Sequence, residues 1–443
     1  MQQLLSALSE IRKRDAGVRQ ADLKSDVEAL VDKFFPDSRS LPIVSQILDY
    51  LFKGAALSGI SGSDLESVFL THVEEIKRYA VPAEALPQGR NILETAEKED
   101  CIVSMIDGWD ALKLINYLFL QSIPTFNKRA IVATARDEGL SILEWIAYHR
   151  VVGFDAFFIY TNDNTDGSFE LLQTLAQHNV ITLINNRVSA KVSPQQKCYE
   201  HSLYFLPQLR LYRWVSYLDI DEFFLPLNCE PASIDGLFSQ INHANLQDSF
   251  SAVFFNWKWF GSSHKLEMED GFVLERFQET RSDSHGKSLS RLADIISMRP
   301  VHYPNLLPGC QLLDSEFKRI TDITKLQPTY AKGQISHYWN KSFEEFALKK
   351  VRGLPSQGIA GKQRDFEQFF AWDARAGAAS IETLQLELLQ KVRREYDVLL
   401  NLPGVRDQLV IIREGVRNRI QELEREFGLR AIFEKTARLY GQA

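Results

Sequence analysis

The spacing of apolar residues changes twice along the chain. From Met1 to about Pro124 it is helical: Leu4, Leu5, Leu8 and Ile11 form one stripe, and Val27, Leu30, Val31 and Phe34 repeat it. Ser63-Asp64-Leu65-Glu66 reads as a helix start, and Pro82, Pro87 and Gly89 as a stop. At Arg129 the pattern becomes continuous, because Ala130 to Thr134 is a short apolar run of the kind buried on both faces of a sheet. Predicted strands at Ala156–Tyr160, Val180–Ile184 and Trp214–Leu218 then alternate with predicted helices over 140–152, 169–178 and 195–206. After Asp221 the chain turns irregular and aromatic (Phe254 to Gly261), then Gly- and Ser-rich through Gly286. Helical spacing returns near Ile381. Leu409, Ile412, Val416, Ile420 and Leu423 then share one face of a helix predicted to pack within the chain or to dimerise.

This alternation predicts an α/β fold with a mixed, mainly parallel central sheet, in which ligands gather outside the carboxyl ends of the strands. It divides the chain into a helical accessory region at 1–125, an α/β domain at 126–376 and a C-terminal helical region at 377–443. Composition narrows the function. A net charge of -7 leaves no basic field for nucleic acid, and 45% hydrophobic residues argue for folding throughout. The four cysteines are scattered without CxxC spacing, so no disulfide framework or zinc ribbon is expected, and a reducing, cytoplasmic location follows. No apolar stretch reaches about 18 residues. Membrane contact would therefore be peripheral, at the inner face through a terminal amphipathic helix, and the same helices could support a homo-oligomer.

The strongest chemical signal is Asp219-Ile220-Asp221-Glu222-Phe223, directly after a predicted strand. Two acids flanking one apolar residue at a strand end are costly unless a cation neutralises them. Period-2 geometry places Asp219 and Asp221 on one side, suited to Mn2+ or Mg2+ with diphosphate oxygens, while Glu222 is expected to point elsewhere. Thr161-Asn162-Asp163-Asn164-Thr165-Asp166-Gly167 ends the Ala156 strand and could hold a base or ribose. Arg136-Asp137-Glu138-Gly139 ends the first strand, where its carboxylates either cap a helix or meet a nucleotide. His337 is a candidate third metal ligand. Lys287, Arg291, Lys349 and Arg352 are candidate diphosphate contacts, with Lys349 and Arg352 preferred.

In this order the motifs resemble family 2-type bacterial glycosyltransferases of the GT-A fold. The likeness runs through Arg136-Asp137-Glu138-Gly139, Glu144-Trp145-Ile146-Ala147-Tyr148-His149, Thr161-Asn162-Asp163, the Asp219 to Phe223 core, Trp259-Phe260-Gly261-Ser262-Ser263, and His337-Tyr338 with Lys341-Ser342. It covers roughly Lys128 to Ala376. The resemblance implies a nucleotide-sugar donor, a glycan, lipid-linked or protein-linked acceptor, a divalent metal on Asp219 and Asp221, and inversion at the anomeric carbon. Donor contacts are expected from Arg136, Asp137, Glu138, Thr161, Asn162, Asp163, Asp166, Asp219, Lys349 and Arg352. Asp221 is expected in catalysis, with Glu275, Asp270 and Asp294 as candidates for the general base. Two rivals are a haloacid-dehalogenase-type phosphatase, which Glu222 and Phe223 argue against, and an inactive glycosyltransferase-like scaffold.

Overall fold

The computed structural model describes residues 75–104, 123–244, 250–352, 365–373 and 383–439, except 299 and 308, together with residues 25, 28, 29, 31–33, 72, 118, 120, 121 and 246. The stripe at Leu4 to Ile11 and the helix start at Ser63 to Glu66 lie outside these residues.

The centre is a single mixed sheet. Its strands are β1 (Ile92–Thr95), β2 (Phe126–Ala135), β3 (Ala156–Thr161), β4 (Thr182–Asn186), β5 (Tyr212–Tyr217), β6 (Glu222–Pro226), β7 (Ala252–Phe260) and β8 (Thr280–Arg291). A separate antiparallel pair, β9 (Ile295–Ser297) with β10 (Asn305–Leu306), follows, and β11 (Leu312–Leu313) and β12 (Gly333–His337) return to the main sheet. The order is β1-β4-β3-β2-β5-β8-β7-β12-β6, with β11 beside β7. From β1 to β5 every pairing is parallel; β8 runs antiparallel to β5 and β7, and β6 antiparallel to β12. The mixed, mainly parallel sheet expected from the sequence is therefore observed. β1 adds a strand inside the stretch that had read as helical.

Buried aliphatic runs such as Ala130 to Ala133 account for the parallel half, since both faces are covered by helices. The helix α1 (Ile142–Val152) is buried on nearly every side, with Trp145, Ile146 and Ala147 fully enclosed. It stops at Gly153, whose φ of 112° lets its N–H turn back to the carbonyls of His149 and Arg150. Next come α2 (Ser168–Gln177), α3 (Pro194–Tyr204), α4 (Ile234–His243), α5 (Phe343–Arg352) and α6 (Phe366–Asp373), then α7 (Thr383–Leu400), α8 (Val405–Phe427) and α9 (Leu429–Leu439). The last three are not an appendage. α7 lies along α1, while α8 lies across α2 and α5 and brings Ile412 against Gly139 and Gly167. The apolar face read from Leu409, Ile412, Val416, Ile420 and Leu423 is buried within the chain.

Candidate functional site

Between β5 and β6 the chain makes a tight turn, closed by the Glu222 N–H donating to the Asp219 carbonyl at 3.0 Å. Trp145 Nε1 holds it from beneath, donating to the carbonyls of Asp219 (3.1 Å) and Glu222 (2.8 Å), and the Tyr338 N–H donates to the Asp221 carbonyl at 2.8 Å. His149, uncharged because burial lowers its pKa to about 3, accepts the Phe224 N–H at Nε2 (3.2 Å). The aspartates thus sit on a backbone braced by α1 and β12.

Each aspartate meets a buried lysine. Asp219 accepts from Gln195 Nε2 on α3 and from Lys287 Nζ on β8, both at 3.1 Å. Asp221 accepts from Lys349 Nζ of α5 at 2.6 Å. Burial opposes ionisation of Asp221, yet Lys349 and His337 hold its carboxyl well below the usual carboxylate range. Glu222 does not point away: it is fully buried, accepts the Asp219 N–H at 2.9 Å, lies 3.5 Å from Lys287, and is pushed well above the ordinary range by burial. Lys287 reaches this position because Gly286 has no side chain; a Cβ there would meet the Phe255 carbonyl oxygen at 2.0 Å.

Beside the carboxylates stands an aromatic and imidazole wall. The His337 ring packs against Trp257 and Trp259, with centroids 4.3 and 5.1 Å away, and its Nε2 lies 3.6 Å from Asp221 Oδ1. Trp257 also touches His302 and His285. Burial lowers the His302 pKa to about 4, with Lys287 adding to the effect, so this ring is neutral beside the site. His285 is exposed, and its Nδ1 is oriented by Asp283 Oδ1 at 2.7 Å.

On the other flank, a cavity of about 690 Å³ lies between the loop after β2, the loop after β3, and helices α5 and α8. Arg136, Asp137, Glu138, Asp166, Lys349 and Arg352 all line it, so most of the expected donor contacts converge. Burial disfavours the Glu138 carboxylate, but Arg352, Lys341 and Lys349 lower its pKa.

Several expectations are corrected by these contacts. Thr161 is fully buried and donates to the Ala135 carbonyl at 2.7 Å, which ties β3 to β2 and turns it away from any donor. Asp166 accepts the N–H groups of Ser168 (2.8 Å) and Gly139 (3.2 Å), so its carboxylate caps α2 although it borders the cavity. Asn162 donates to Asp163 at 2.9 Å on the outer part of that loop. Arg352 is committed to the loop after β2, donating to the carbonyl of Arg136 and the carboxylate of Glu138, both at 2.6 Å. Asp294 follows Arg291, which pairs with Trp214 at the start of β5, the opposite end from Asp219. Glu275 is turned outward into an ion pair with Arg393 of α7, and Asp270 is exposed. His337 Nε2 stands 3.6 Å from Asp221 Oδ1, and among the described residues His337, Asp219 and Asp221 do not form a group at metal-ligand spacing.

For a metal, the carboxylates supply the oxygen donors that Mn2+ or Mg2+ takes. Lys287 and Lys349 already bind both of them, so a cation there would share the carboxylates with two ammonium groups. Sequence reasoning missed Gln195, Glu222 and the Asp283–His285 pair. The Gly286-Lys287-Ser288-Leu289 run, with a charge entering a buried strand, carried part of that signal.

Comparison with known proteins places this geometry in context. The family model described as Glycosyltransferase family 92 matches residues 134–357. A glycosyltransferase family 92 protein of Ricinus communis is 31% identical over 124 residues, 27% of this chain and 21% of that protein. One from Oryza sativa subsp. japonica is 25% identical over 145 residues, 30% of this chain and 24% of that protein. The alignments thus span about a quarter or less of these curated relatives. The solved structure of S. aureus TarS aligns over 67% of this chain and 55% of its own, with 12% identity and a TM-score of 0.25. The family model and the two plant relatives agree with a glycosyltransferase, and the family they name is 92 rather than 2.

Proposed function

Because this chain belongs to glycosyltransferase family 92, we propose that it moves a sugar from a nucleotide-sugar donor to a glycan or glycoconjugate acceptor, with inversion at the anomeric carbon. The observation that carries this reading is the braced Asp219–Asp221 turn, with Lys287 and Lys349 converging on it beside a cavity rimmed by Arg136 and Lys341. The donor diphosphate gains negative charge as the glycosidic bond breaks, and fixed cations aimed at that charge lower the barrier most in a site closed to water. Lys349 is placed for this role, with Arg136 toward the nucleotide. Mn2+ or Mg2+ held by Asp219 and Asp221 would, when bound, neutralise the same leaving group.

The acceptor hydroxyl needs a base on the face opposite the leaving group. With Asp294 and Glu275 facing elsewhere, we assign this role to His285: Asp283 fixes its Nδ1 and leaves Nε2 to take the proton. A second reading rests on the lysines themselves. If Lys287 and Lys349 supply enough charge, transfer proceeds without a divalent cation.

The test is nucleoside diphosphate release from a panel of sugar nucleotides, with Mn2+ or with chelator, for the wild type, Asp221→Asn and His285→Asn. The proposal expects release from one donor that needs Mn2+, falls by two orders of magnitude or more in Asp221→Asn by roughly the measure of a lost charge stabiliser, and loses acceptor-dependent turnover in His285→Asn. Release that persists in chelator selects the lysine reading. Donor binding without release from any donor would sink the transferase and leave the inactive scaffold. The anomeric configuration of the product, read by NMR, decides inversion.

A further inference from the structure

A second cluster of ligand-type atoms gathers around His201 of α3, apart from the Asp219–Asp221 turn. His72, Glu99 and His201 are, among the described residues, the one group of three or more His, Cys, Asp or Glu side chains whose ligand atoms lie within 4.8 Å of one another. His72 belongs to the region before β1, Glu99 to the helical turn Glu97–Asp100 just after β1, and His201 to α3. No local spacing announces such a trio.

We propose that His72, Glu99 and His201 bind Zn2+ through two imidazole nitrogens and one carboxylate oxygen, with a further position open to the adjoining cavity. In Glu99 and His201 the second polar atom of the side chain is already occupied in a way that aims the ligand atom inward. Glu99 Oε2 accepts the Ala96 N–H at 3.1 Å, which leaves Oε1 facing His72 Nε2 at 3.4 Å. That Nε2 is buried and outside good hydrogen-bond geometry. His201 Nδ1 is bonded to the Tyr160 hydroxyl at 2.8 Å, which fixes the ring and frees Nε2, as the second nitrogen of a metal-bound histidine is usually fixed.

The surroundings agree. The nearby buried cation Lys197 spends its charge on Asp100 Oδ1 (2.7 Å) and on the Ala96 carbonyl (2.8 Å). A cavity of about 520 Å³, bordered by His72, His201, Glu75 and Arg187, gives the ion a way in and room for a water ligand. Two imidazoles and one carboxylate are a donor set that Zn2+ favours over the harder Mg2+ or Ca2+. The ion would clip the region before β1 to α3, and α3 also carries Gln195, six residues or ~9 Å along the helix from His201, where it bonds Asp219.

The experiment is metal titration of the full chain after dialysis against a chelator, with uptake measured by competition and Co2+ used as a spectroscopic probe. The wild type should take up one Zn2+ equivalent and give the intense visible bands of four-coordinate Co2+. His72→Gln should lose that equivalent, Tyr160→Phe should weaken it roughly 10–100-fold, and the double variant Asp219→Asn/Asp221→Asn should keep it. No stoichiometric Zn2+ in the wild type overturns the proposal, as does uptake that survives in His72→Gln or vanishes only in the aspartate variant. The wild-type stoichiometry and Co2+ spectrum need no variant, so misfolding of His72→Gln leaves the test standing.

Discussion

Lys349 joins three parts of the site at one atom, since its ammonium meets Asp221 and the Trp339 carbonyl at 2.6 and 2.9 Å while its stem lines the cavity. Lys349→Met keeps the stem and removes the charge. The turnover rate should fall roughly 10²–10³-fold while circular dichroism stays that of the wild type; an unchanged rate would remove Lys349 from the chemistry. Glu144, buried in α1 and accepting the Val273 N–H at 3.1 Å, bears instead on stability. Burial raises its pKa from 4.5 to about 7. The unfolded chain therefore releases this proton near 4.5 and the folded chain only near 7, so this group costs stability as pH rises between those values. The loss amounts to about 3 kcal/mol at 1.36 kcal/mol per pH unit. Glu144→Gln should remove that slope from the pH dependence of urea midpoints, and a slope unchanged by the substitution would contradict it.

At the scale of elements, the sequence was most legible where burial was complete. β2, β3 and β5 are near-continuous apolar runs, and each was visible from its residues alone. β4 is displaced from the apolar run at Val180–Ile184: pairing with β3 begins at Thr182 and ends at Asn185, and Asn186 extends the strand on the other side by pairing with Thr95 of β1, whose hydroxyl donates to Asn186 Oδ1 at 3.2 Å. β1 itself escaped notice because an edge strand of four residues, exposed at Ile92, leaves little periodicity. β8 was the largest omission. Arg281 to Ser290 has the composition of a loop, and its pairing along β7 and β5 makes it a strand. β8 also bears on Asp294: its antiparallel pairing with β5 sets Arg291 beside Trp214, so Asp294, three residues on, follows at the end of β5 remote from Asp219. Asp219 and Asp221 were legible because their cost at a strand end is local. The lysines that answer them come from β8 and α5, and that is a property of the fold.

For the whole molecule, the family match at 134–357 leaves out elements that the core requires. Leu388, Leu389, Val392, Leu399, Val405, Leu409 and Ile412 all belong to the main buried cluster. At about 1.5 kcal/mol or more for each buried side chain, they contribute on the order of 10 kcal/mol, comparable with the 5–15 kcal/mol that holds a typical protein folded. A chain ending at residue 376 should therefore lose cooperative thermal unfolding even though the matched segment is intact; a sharp transition near the wild-type Tm would show the helices to be dispensable. No helix among the described residues is long and apolar enough to cross a membrane.

The strand order sets one more condition. β5 and β6 are four positions apart in the sheet, a distance of about 19 Å if the sheet were flat. The link from Tyr217 to Glu222 reaches only about 17 Å at full extension, and it is bent by its own hydrogen bond. The sheet must therefore roll up like a partly closed scroll, with the Asp219–Asp221 turn as the short strap across its mouth. A strap of fixed length tolerates exchange of its side chains far better than the gain or loss of one residue, which would change how tightly the scroll closes and with it the separation of the two lysines.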